Sequence, residues 1–243
     1  MSNLKLVVFD CDGTLVDSQH MIVAAMGRAM TAHGLPALPR ATVLSIVGLS
    51  LEQAITRLLP AEDLATIALV QESYRQAFFH LRDDPELHEP LFEGTREVLE
   101  QLSARDDVLL GVATGKSQRG LRAILELHDI RDLFVTLQTA DDHPSKPHPS
   151  MMLQAMAETG ARPENTVIVG DTSYDMVMGR EARVRPIGVS WGYHEADELH
   201  AHGAELVVNQ FAELRPVLEN MWLADIQPGQ AAGSTHGGGG EKR

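Results

Sequence analysis

The feature that most restricts the fold of this chain is a series of short, uninterrupted apolar runs. They are rich in Val, Ile and Leu and lie at Leu4–Phe9, Val108–Ala113, Leu133–Leu137, Thr166–Val169, Pro186–Ser190 and, more weakly, Glu205–Val208. Continuous rather than alternating apolarity is typical of strands that are buried on both faces. Strands that alternate with helices form a parallel sheet through right-handed crossovers. The pattern therefore predicts an α/β fold with a doubly wound parallel sheet, that is, a Rossmann-like core.

Segments of helical period separate these runs. One lies near residues 95–104, just before the second run. The later ones lie near residues 117–128, 149–159, 173–182 and 210–222. The interval after the first run is too long for one crossover helix, and its helical patterns lie at about 19–33, 40–47, 50–59 and 62–81. We therefore expect residues 1–16 and 91–223 to form the core and residues 17–90 to form an inserted helical domain. Residues 224–243 lack apolar periodicity, which predicts a disordered tail.

Composition excludes several classes of protein. The chain has 20 Lys+Arg against 34 Asp+Glu, a net charge of −14, and such a surface repels nucleic acid. Its one cysteine, Cys11, forms neither a disulfide framework nor a multi-cysteine zinc site. No apolar run approaches the roughly 20 residues that cross a bilayer, and no secretory core precedes Asp10. We expect a soluble, cytoplasmic protein that binds neither nucleic acid nor membranes.

Acidic and hydroxylic residues stand directly after three of the predicted strands. Asp10 and Asp12 lie in FDCDGT, Thr114 lies in VATGKS, and Asp171 and Asp175 lie in VGDTSYD. The carboxyl ends of parallel strands share one edge of the sheet, where ligands of open α/β folds bind. These side chains, more than 150 positions apart at the extremes, are therefore expected in one crevice.

Four carboxylates in one crevice require a cation. If the extended geometry continues past the first strand, Asp10 and Asp12 point to the same side and join Asp171 and Asp175. Hard oxygen ligands of this kind favour Mg²⁺, which takes one or two carboxylates, several waters and a substrate phosphate. The sequence thus predicts a magnesium site that also receives a phosphate group.

Donors for a phosphate follow the same strands. Gly13 and Gly115 permit tight turns that expose backbone N–H groups, and a helix that starts near residue 117 adds its positive end. The Thr114 hydroxyl offers a hydrogen bond, and Lys146, in the proline-flanked HPSKPHP, offers a compact positive charge. This set predicts a binding site for the phosphate group of a ligand.

The strings FDCDGTLVDS, VATGKS, SKPHP and GDTSYDM, in this order, resemble the motifs of the haloacid dehalogenase superfamily of phosphohydrolases. The resemblance covers about residues 4–210. The helical insert resembles the all-helical cap of the subgroup that contains phosphoglycolate phosphatase and β-phosphoglucomutase. The VGLSLEQAI stretch, Val47–Ile55, resembles a cap loop and helix of the phosphoglycolate phosphatase branch.

The resemblance implies a role for each matching residue. Asp10 is the implied nucleophile, which forms an aspartyl-phosphate, and Asp12 is the implied general acid and base. Mg²⁺ is held by the Asp10 carboxylate, the Asp12 backbone carbonyl and Asp171. Asp175 supports this metal site through water or by contact with its ligands, and the residues implied to bind the phosphoryl group are Thr114, Gly115 and Lys146.

Several alternatives stay open from the sequence. Asp12 and Asp171 disfavour a metal-free dehalogenase, and Thr14, where mutases usually have Val or Ile, favours a phosphatase over a β-phosphoglucomutase-like phosphotransferase. A receiver-like signalling module is about half this length and lacks the insert. Cys11 stands between two carboxylates that raise its pKa, so it is not expected to be a nucleophile. The resemblance implies a small phosphorylated metabolite as the partner, with phosphoglycolate as the expected substrate. Pyrophosphate and sugar phosphates are alternatives, and monomer and homodimer are both open.

Overall fold

The computed structural model describes residues 4–82, 84 and 87–224 and contains a six-stranded parallel sheet. The strand order is β3-β2-β1-β4-β5-β6. The strands are β1 (Lys5–Phe9), β2 (Val108–Thr114), β3 (Thr136–Thr139), β4 (Thr166–Gly170), β5 (Arg185–Val189) and β6 (Leu206–Val208). All neighbouring strands pair in parallel, which confirms the predicted doubly wound α/β fold.

Strand β1 lies in the interior of the sheet and is buried on both faces. Its side chains alternate between two apolar clusters: Val7 and Phe9 face one, and Leu6 and Val8 face the other. The first cluster is covered by α5 (Thr95–Ser103), α6 (Gln118–Leu127) and α10 (Leu214–Ala224). The second is covered by α7 (Ser150–Thr159) and α8 (Ser173–Glu181). Helices on both faces explain why the strands are continuously apolar.

The register of the sheet sets the position of the polar residues. Phe9 stands opposite Val112 on one side and Val169 on the other. The next residue, Asp10, is therefore level with the ends of β2 and β4. This alignment brings the segments that follow three strands to one edge of the sheet.

Four helices lie between β1 and α5, and they carry an apolar cluster of their own. They are α1 (Gln19–Ala32), α2 (Arg40–Leu44), α3 (Leu51–Leu58) and α4 (Leu64–Leu81). Their buried residues include Ile22, Met26, Ile55 and Val70. This helical content is consistent with a cap domain, whereas the exact division into residues 1–16, 17–90 and 91–223 stays a prediction.

The two chain segments that lead into and out of these helices run side by side. Val16 forms a β-bridge with Leu91, the Asp17 N–H donates to the Pro90 carbonyl at 2.8 Å, and the Phe92 N–H donates to the Leu15 carbonyl at 3.1 Å. The helical insert is thus joined to the core through one narrow, hydrogen-bonded neck.

The predicted segment boundaries were wrong in three places. The run Leu133–Leu137 is not one strand, because residues Arg131–Leu133 form a 3-10 helix and β3 begins only at Thr136. A short helix, α9 (Ala196–Ala201), was not predicted. The segment predicted as a helix from residue 210 opens with a 3-10 turn at Phe211–Glu213 before α10. Of the predicted tail 224–243, Ala224 ends α10 and residues 225–243 lie outside the described residues.

Within the described part of the chain, none of the helices combines the length and the apolar character that crossing a membrane requires.

Candidate active site

Three carboxylates meet at the carboxyl edge of the sheet. Asp10 follows β1, Asp171 follows β4, and Asp175 lies in the first turn of α8. All three side chains are fully buried, and one oxygen from each lies within 4.8 Å of the others. The structure thus brings together three of the four carboxylates that the sequence placed in one crevice.

Lys146 is the cation that faces this cluster. Its Nζ lies 2.9 Å from Asp10 Oδ1 and 2.6 Å from Asp175 Oδ1, and its side chain is completely buried. Burial opposes the charged form, but the two carboxylates outweigh it and raise the pKa of Lys146. Lys146 therefore remains an ammonium group between the two acids.

Glycines let the backbone approach these carboxylates closely. Gly13 has a φ of +84°, and a Cβ there would lie 2.2 Å from Asp171 Oδ2. A Cβ at Gly170 would lie 2.4 Å from Asp175 Cγ, and one at Gly192 would lie 2.1 Å from Asp171 Cβ. These distances are far below van der Waals contact, so any side chain at the three positions would displace a carboxylate.

Asp10 and Asp171 differ in how their oxygens are satisfied. Asp171 accepts hydrogen bonds from the Thr14 hydroxyl at 2.8 Å and from the Tyr193 N–H at 2.9 Å. Asp10 Oδ1 accepts from the Cys11 N–H at 2.7 Å and contacts Lys146, whereas Asp10 Oδ2 has no hydrogen-bond partner among the residues that the structure describes. A buried, unpartnered carboxylate oxygen is costly, so this atom is poised for an external ligand.

Burial and the excess of negative charge raise the pKa of two acids of the cluster. Burial raises the pKa of Asp10 to about 7, with Asp175 adding to the rise and Lys146 opposing it. Burial and the Asp10 charge likewise raise the pKa of Asp171 well above its usual range. Three ionised carboxylates exceed the single charge of Lys146, and hard oxygen donors suit a divalent cation such as Mg²⁺. The residues present therefore fit a metal ion, which would hold the acids in their charged form.

The Asp12 carboxylate does not join this cluster, although the sequence predicted four carboxylates together. Its Oδ1 accepts from Lys116 Nζ at 2.6 Å and from the Ser18 hydroxyl. The chain bends at Cys11, whose carbonyl accepts from the N–H of Leu15 at 2.9 Å. This tight turn ends the extended geometry on which the expected common direction of Asp10 and Asp12 depended.

Lys116 is a site residue that sequence reasoning did not single out. Its Nζ contacts Asp12 and also lies 3.6 Å from Glu89 Oε1, in a largely buried position. The signal was present in the string VATGKS, but a single lysine after a strand is indistinguishable from a solvated surface charge.

Thr114 and Gly115 lie at the end of β2, as predicted. The Thr114 side chain is buried, and its hydroxyl accepts from the Lys116 N–H at 3.2 Å. A Cβ at Gly115 would lie 2.3 Å from the Leu49 carbonyl oxygen, which belongs to the helical insert. The insert therefore reaches the end of β2, where a phosphate group is expected.

Further contacts join the insert to the core around this point. The Ser50 N–H donates to Ser145 Oγ at 2.8 Å, beside Lys146. The Tyr174 hydroxyl donates to the Ser45 carbonyl at 3.0 Å and accepts from Arg57 at 2.8 Å. Between the insert and the core lies a cavity of about 360 Å³ that Asp12, Gly115 and Lys116 help to line. Both the insert and the core thus line this cavity, and Asp12 reaches it whereas Asp10, Asp171 and Asp175 are not among its lining residues.

The Cys11 thiol is fully buried, and burial together with Asp12 raises its pKa well above the usual range. A thiol in this state is a poor nucleophile, which agrees with the expectation that Cys11 is not catalytic.

A parallel sheet with an insert after its first strand, and acids after its first and fourth, defines a class of hydrolases. A sequence model described as haloacid dehalogenase-like hydrolase matches residues 7–189, and the chain belongs to this family. It is 37% identical over 213 residues to "Probable phosphatase IndB" of Dickeya dadantii, which covers 86% of this chain and 91% of that protein. It is 28% identical to "Pyrophosphatase PpaX" of Bacillus cereus, over 90% of this chain and 98% of that protein.

A solved structure shows the same fold. A hydrolase from Pseudomonas syringae superposes with a TM-score of 0.79 at 24% sequence identity, over 89% of this chain and 98% of that chain. The expected resemblance to the haloacid dehalogenase superfamily is therefore confirmed by sequence and by fold.

Proposed function

We propose that this protein is a Mg²⁺-dependent phosphatase that hydrolyses a small phosphorylated metabolite through an aspartyl-phosphate intermediate. The observation that carries the proposal is the Asp10 carboxylate. One of its oxygens is held by Lys146 and the other has no hydrogen-bond partner within the described residues, in a buried acidic cluster. A free carboxylate oxygen at a site that favours both a phosphate and a cation is suited to nucleophilic attack on phosphorus.

The first half-reaction transfers the phosphoryl group to Asp10. A carboxylate oxygen of Asp10 bonds to phosphorus while the bond from phosphorus to the leaving oxygen breaks, and that oxygen keeps the electron pair. Asp12 donates a proton to the leaving oxygen, so the product departs as a neutral alcohol. In the second half-reaction Asp12 takes a proton from water, the water oxygen bonds to phosphorus, and the bond to Asp10 breaks to release inorganic phosphate.

The position of Asp12 outside the acidic cluster supports its role in proton transfer, separate from the attack by Asp10. Its carboxylate contacts Lys116 and Ser18 rather than the three clustered acids. A group that must give and take a proton is better placed outside the coordination of a metal ion, which would keep it deprotonated.

The remaining site residues hold the charges of the reaction. Thr114, Gly115 and Lys146 bind the transferring phosphoryl group, and Asp175 keeps Lys146 beside Asp10. Asp10, Asp171 and the Asp12 backbone carbonyl hold Mg²⁺, with Asp175 as support. When bound, the ion supplies electrostatic stabilisation of the charge on the phosphoryl oxygens.

The substrate is the less specified part of the proposal. The branch resemblance of Val47–Ile55 favours phosphoglycolate, and the name of the Bacillus cereus relative makes pyrophosphate the second candidate. Thr14, which donates to Asp171, supports hydrolysis over a β-phosphoglucomutase-like transfer.

The test is a phosphate-release assay on a panel of phosphorylated metabolites with Mg²⁺, ranked by kcat/KM and repeated in EDTA. We expect turnover that EDTA stops and Mg²⁺ restores, and none for Asp10→Asn. Exposed Asp132→Asn, which makes the same chemical change outside the site, is the matched control. Full activity in EDTA, or turnover by Asp10→Asn, would overturn the proposal.

A further inference from the structure

The cavity between insert and core is large for the substrates named above. Its volume of about 360 Å³ lies within the range of about 300–1,000 Å³ that is typical of pockets for drug-sized ligands. A leaving group as small as glycolate or phosphate would leave most of this space to water. The size of the cavity therefore indicates a larger leaving group.

One side of the cavity is apolar and aromatic. The insert contributes Ile22 and Met26 from α1, Val47 from the loop before α3, and Tyr74 and Phe78 from α4. Met26 and Val47 are buried members of the insert's apolar cluster, against which Tyr74 and Phe78 pack. Such a wall stabilises an apolar or planar ring system rather than a fully hydroxylated sugar.

Cations line the same cavity near its aromatic residues. Arg82, just after α4, lies over the Phe78 ring at 5.7 Å from its centroid, and Arg119 of α6 lies over the Phe79 ring at 5.2 Å. Among the described residues, neither guanidinium pairs with a carboxylate. A guanidinium that stacks on a ring keeps its N–H groups directed outward along its own plane, where they can bind a carboxylate or phosphate in a bidentate manner.

The other charged residues that line the cavity either contact a polar or acidic side chain or are acidic themselves. Lys116 is bound to Asp12, and Arg75 faces Glu72 at 3.8 Å and Gln71 at 3.3 Å. The acidic residues Glu52 and Asp141 also line the cavity, and Asp141 accepts from the Gln118 N–H at 2.8 Å. Of the described residues that line the cavity, Arg82 and Arg119 are therefore the cations that remain available to an anionic ligand.

The Phe78 ring connects this anion site to the reacting groups. Lys116 Nζ, which contacts Asp12, lies 5.1 Å from the centroid of the same ring that Arg82 covers. A ligand whose leaving oxygen receives a proton from Asp12 can thus extend along Phe78 toward Arg82.

We propose, resting on the phosphatase function above, that the substrate is a phosphate monoester whose leaving group has an apolar or aromatic body and a second anionic group. The body packs against Phe78 and the apolar residues of α1, and Arg82 and Arg119 bind the anion. The anion is a carboxylate or a second phosphate, each of which presents a pair of acceptor oxygens that a guanidinium can bind in a bidentate manner.

Matched aryl phosphates test this inference in the full-length enzyme with Mg²⁺. The pair 4-(carboxymethyl)phenyl phosphate and 4-methylphenyl phosphate differs in the distal anion, and the methylene group keeps the acidity of the two phenols similar. A third compound, 4-(phosphonomethyl)phenyl phosphate, distinguishes a phosphate from a carboxylate as the preferred anion. Phosphoglycolate and pyrophosphate serve as the small comparison substrates.

We expect kcat/KM for the better anionic aryl ester to exceed that for the methyl ester about ten- to hundredfold, as hydrogen bonds to charged groups contribute. Both anionic esters should exceed phosphoglycolate and pyrophosphate. The double variant Arg82→Gln/Arg119→Gln should reduce the ratio of anionic to neutral ester to near one, mainly through KM. Arg122→Gln, an exposed arginine of the same helix as Arg119 that does not line the cavity, should keep the wild-type ratio.

The outcomes separate this inference from the function on which it rests. Turnover of all aryl esters with equal kcat/KM, or a ratio that survives the double variant, would overturn the inference and leave the phosphatase function standing. A preference for phosphoglycolate or pyrophosphate over every aryl ester would do the same. No Mg²⁺-dependent turnover of any compound would overturn both.

Discussion

Lys116 Nζ lies 2.6 Å from Asp12 Oδ1, although 104 positions separate the two residues in the chain. The bend at Cys11 separates the Asp12 carboxylate from the three clustered acids, and the contact with Lys116 holds it at the border of the cavity. The proposed proton donor is thus kept apart from the three proposed metal-binding acids.

The first prediction concerns this contact. Lys116→Met should lower kcat on the order of a hundredfold, because it removes the contact that positions the Asp12 carboxylate and a misplacement of about 1 Å costs on that scale in rate. The loss should be larger for esters with poor leaving groups, which depend most on the proton from Asp12. Steady-state kinetics on phenyl phosphates of graded acidity measure this dependence. Lys116→Arg, which keeps the charge, should recover part of kcat, and an equal loss for all leaving groups would contradict the role.

The second prediction isolates the nucleophile. Asp10→Asn should reduce kcat at least about a thousandfold, the scale on which loss of a nucleophile acts. Its amide is nearly the same size as the carboxylate, so the fold should remain intact. Removing a buried charge that has no partner at Oδ2 should leave the Tm in EDTA unchanged or raised. Phosphate release and thermal unfolding measure the two effects, with Asp132→Asn as control. A variant that loses activity because it unfolds would contradict a purely chemical role.

The third prediction separates backbone strain from crowding of the site. Gly13→Ala and Gly34→Ala both place a Cβ at positive φ, +84° and +67°. The Cβ at Gly34 meets nothing within 4 Å, so this variant should lose only the roughly 1–2 kcal/mol of left-handed strain. The Cβ at Gly13 would lie 2.2 Å from Asp171 Oδ2, so Asp171 must move. Displacement by about 1 Å costs on the order of a hundredfold in rate.

Kinetics at a series of Mg²⁺ concentrations, beside thermal unfolding of both glycine variants, provides the measurement. Gly13→Ala should need more Mg²⁺ for half-maximal activity, whereas Gly34→Ala should not. Equal Mg²⁺ requirements in the two variants would show that Gly13 does not shape the metal site.

The fourth prediction concerns stability against pH. Without metal, the pKa of Asp10 is raised to about 7, whereas carboxyls of an unfolded chain titrate near about 4. Between these values the unfolded chain has released protons that the folded chain still holds, so the free energy of unfolding falls as pH rises. The Tm of EDTA-treated protein should therefore decrease from about pH 5 to about pH 7.5.

If Mg²⁺ binds the ionised acids, as proposed above, it should raise the Tm more at the higher pH than at the lower. Asp10→Asn should flatten the pH dependence in EDTA, since it removes one of the two acids with raised pKa. Thermal unfolding with and without Mg²⁺ across this pH range checks both points, and a Tm in EDTA that rises with pH would contradict the assignment.

The sequence predicted the fold and the approach of Asp10, Asp171 and Asp175 to one another, because both depend on patterns that a linear sequence shows directly. Buried parallel strands require continuous apolar runs, and the residues after them share one edge whatever the connections are. Where a predicted segment was wrong, the local conformation of the backbone was the reason. Leu133 and Phe134 are apolar because they pack in the core, yet the chain turns there before β3 begins at Thr136.

The position of side chains in the site was less predictable. Asp12 leaves the acidic cluster because of a bend at Cys11, and the partner that receives it, Lys116, comes from a distant loop. Only the folded chain shows that pairing. The cavity likewise combines residues of α1, α4 and α6. No spacing in the sequence predicts that these three helices lie close together.

The last prediction is that the helical insert moves as a lid over the acids. Its two connections to the core, near residues 16–18 and 90–94, run side by side and are joined by the Val16–Leu91 bridge and the Asp17–Pro90 hydrogen bond. A paired neck of this kind is a natural hinge, because rotation about it leaves both packed bodies intact. Away from the neck, the polar contacts described between insert and core come from Ser50 and from Tyr174.

We expect closure to exclude water during the proposed attack by Asp10 and opening to release the product, so the two states should be separately observable. Spin labels at Ala65→Cys of the insert and Arg122→Cys of the core occupy exposed positions, and the native Cys11 is buried and should not react. Pulsed dipolar spectroscopy should find a broad distance distribution without ligands and a narrower, shorter one with Mg²⁺ and a phosphate analogue. Tyr174→Phe, which removes the hydroxyl between Ser45 and Arg57, should shift the unliganded distribution to longer distances. One distribution common to all conditions would show that the insert is rigidly packed on the core.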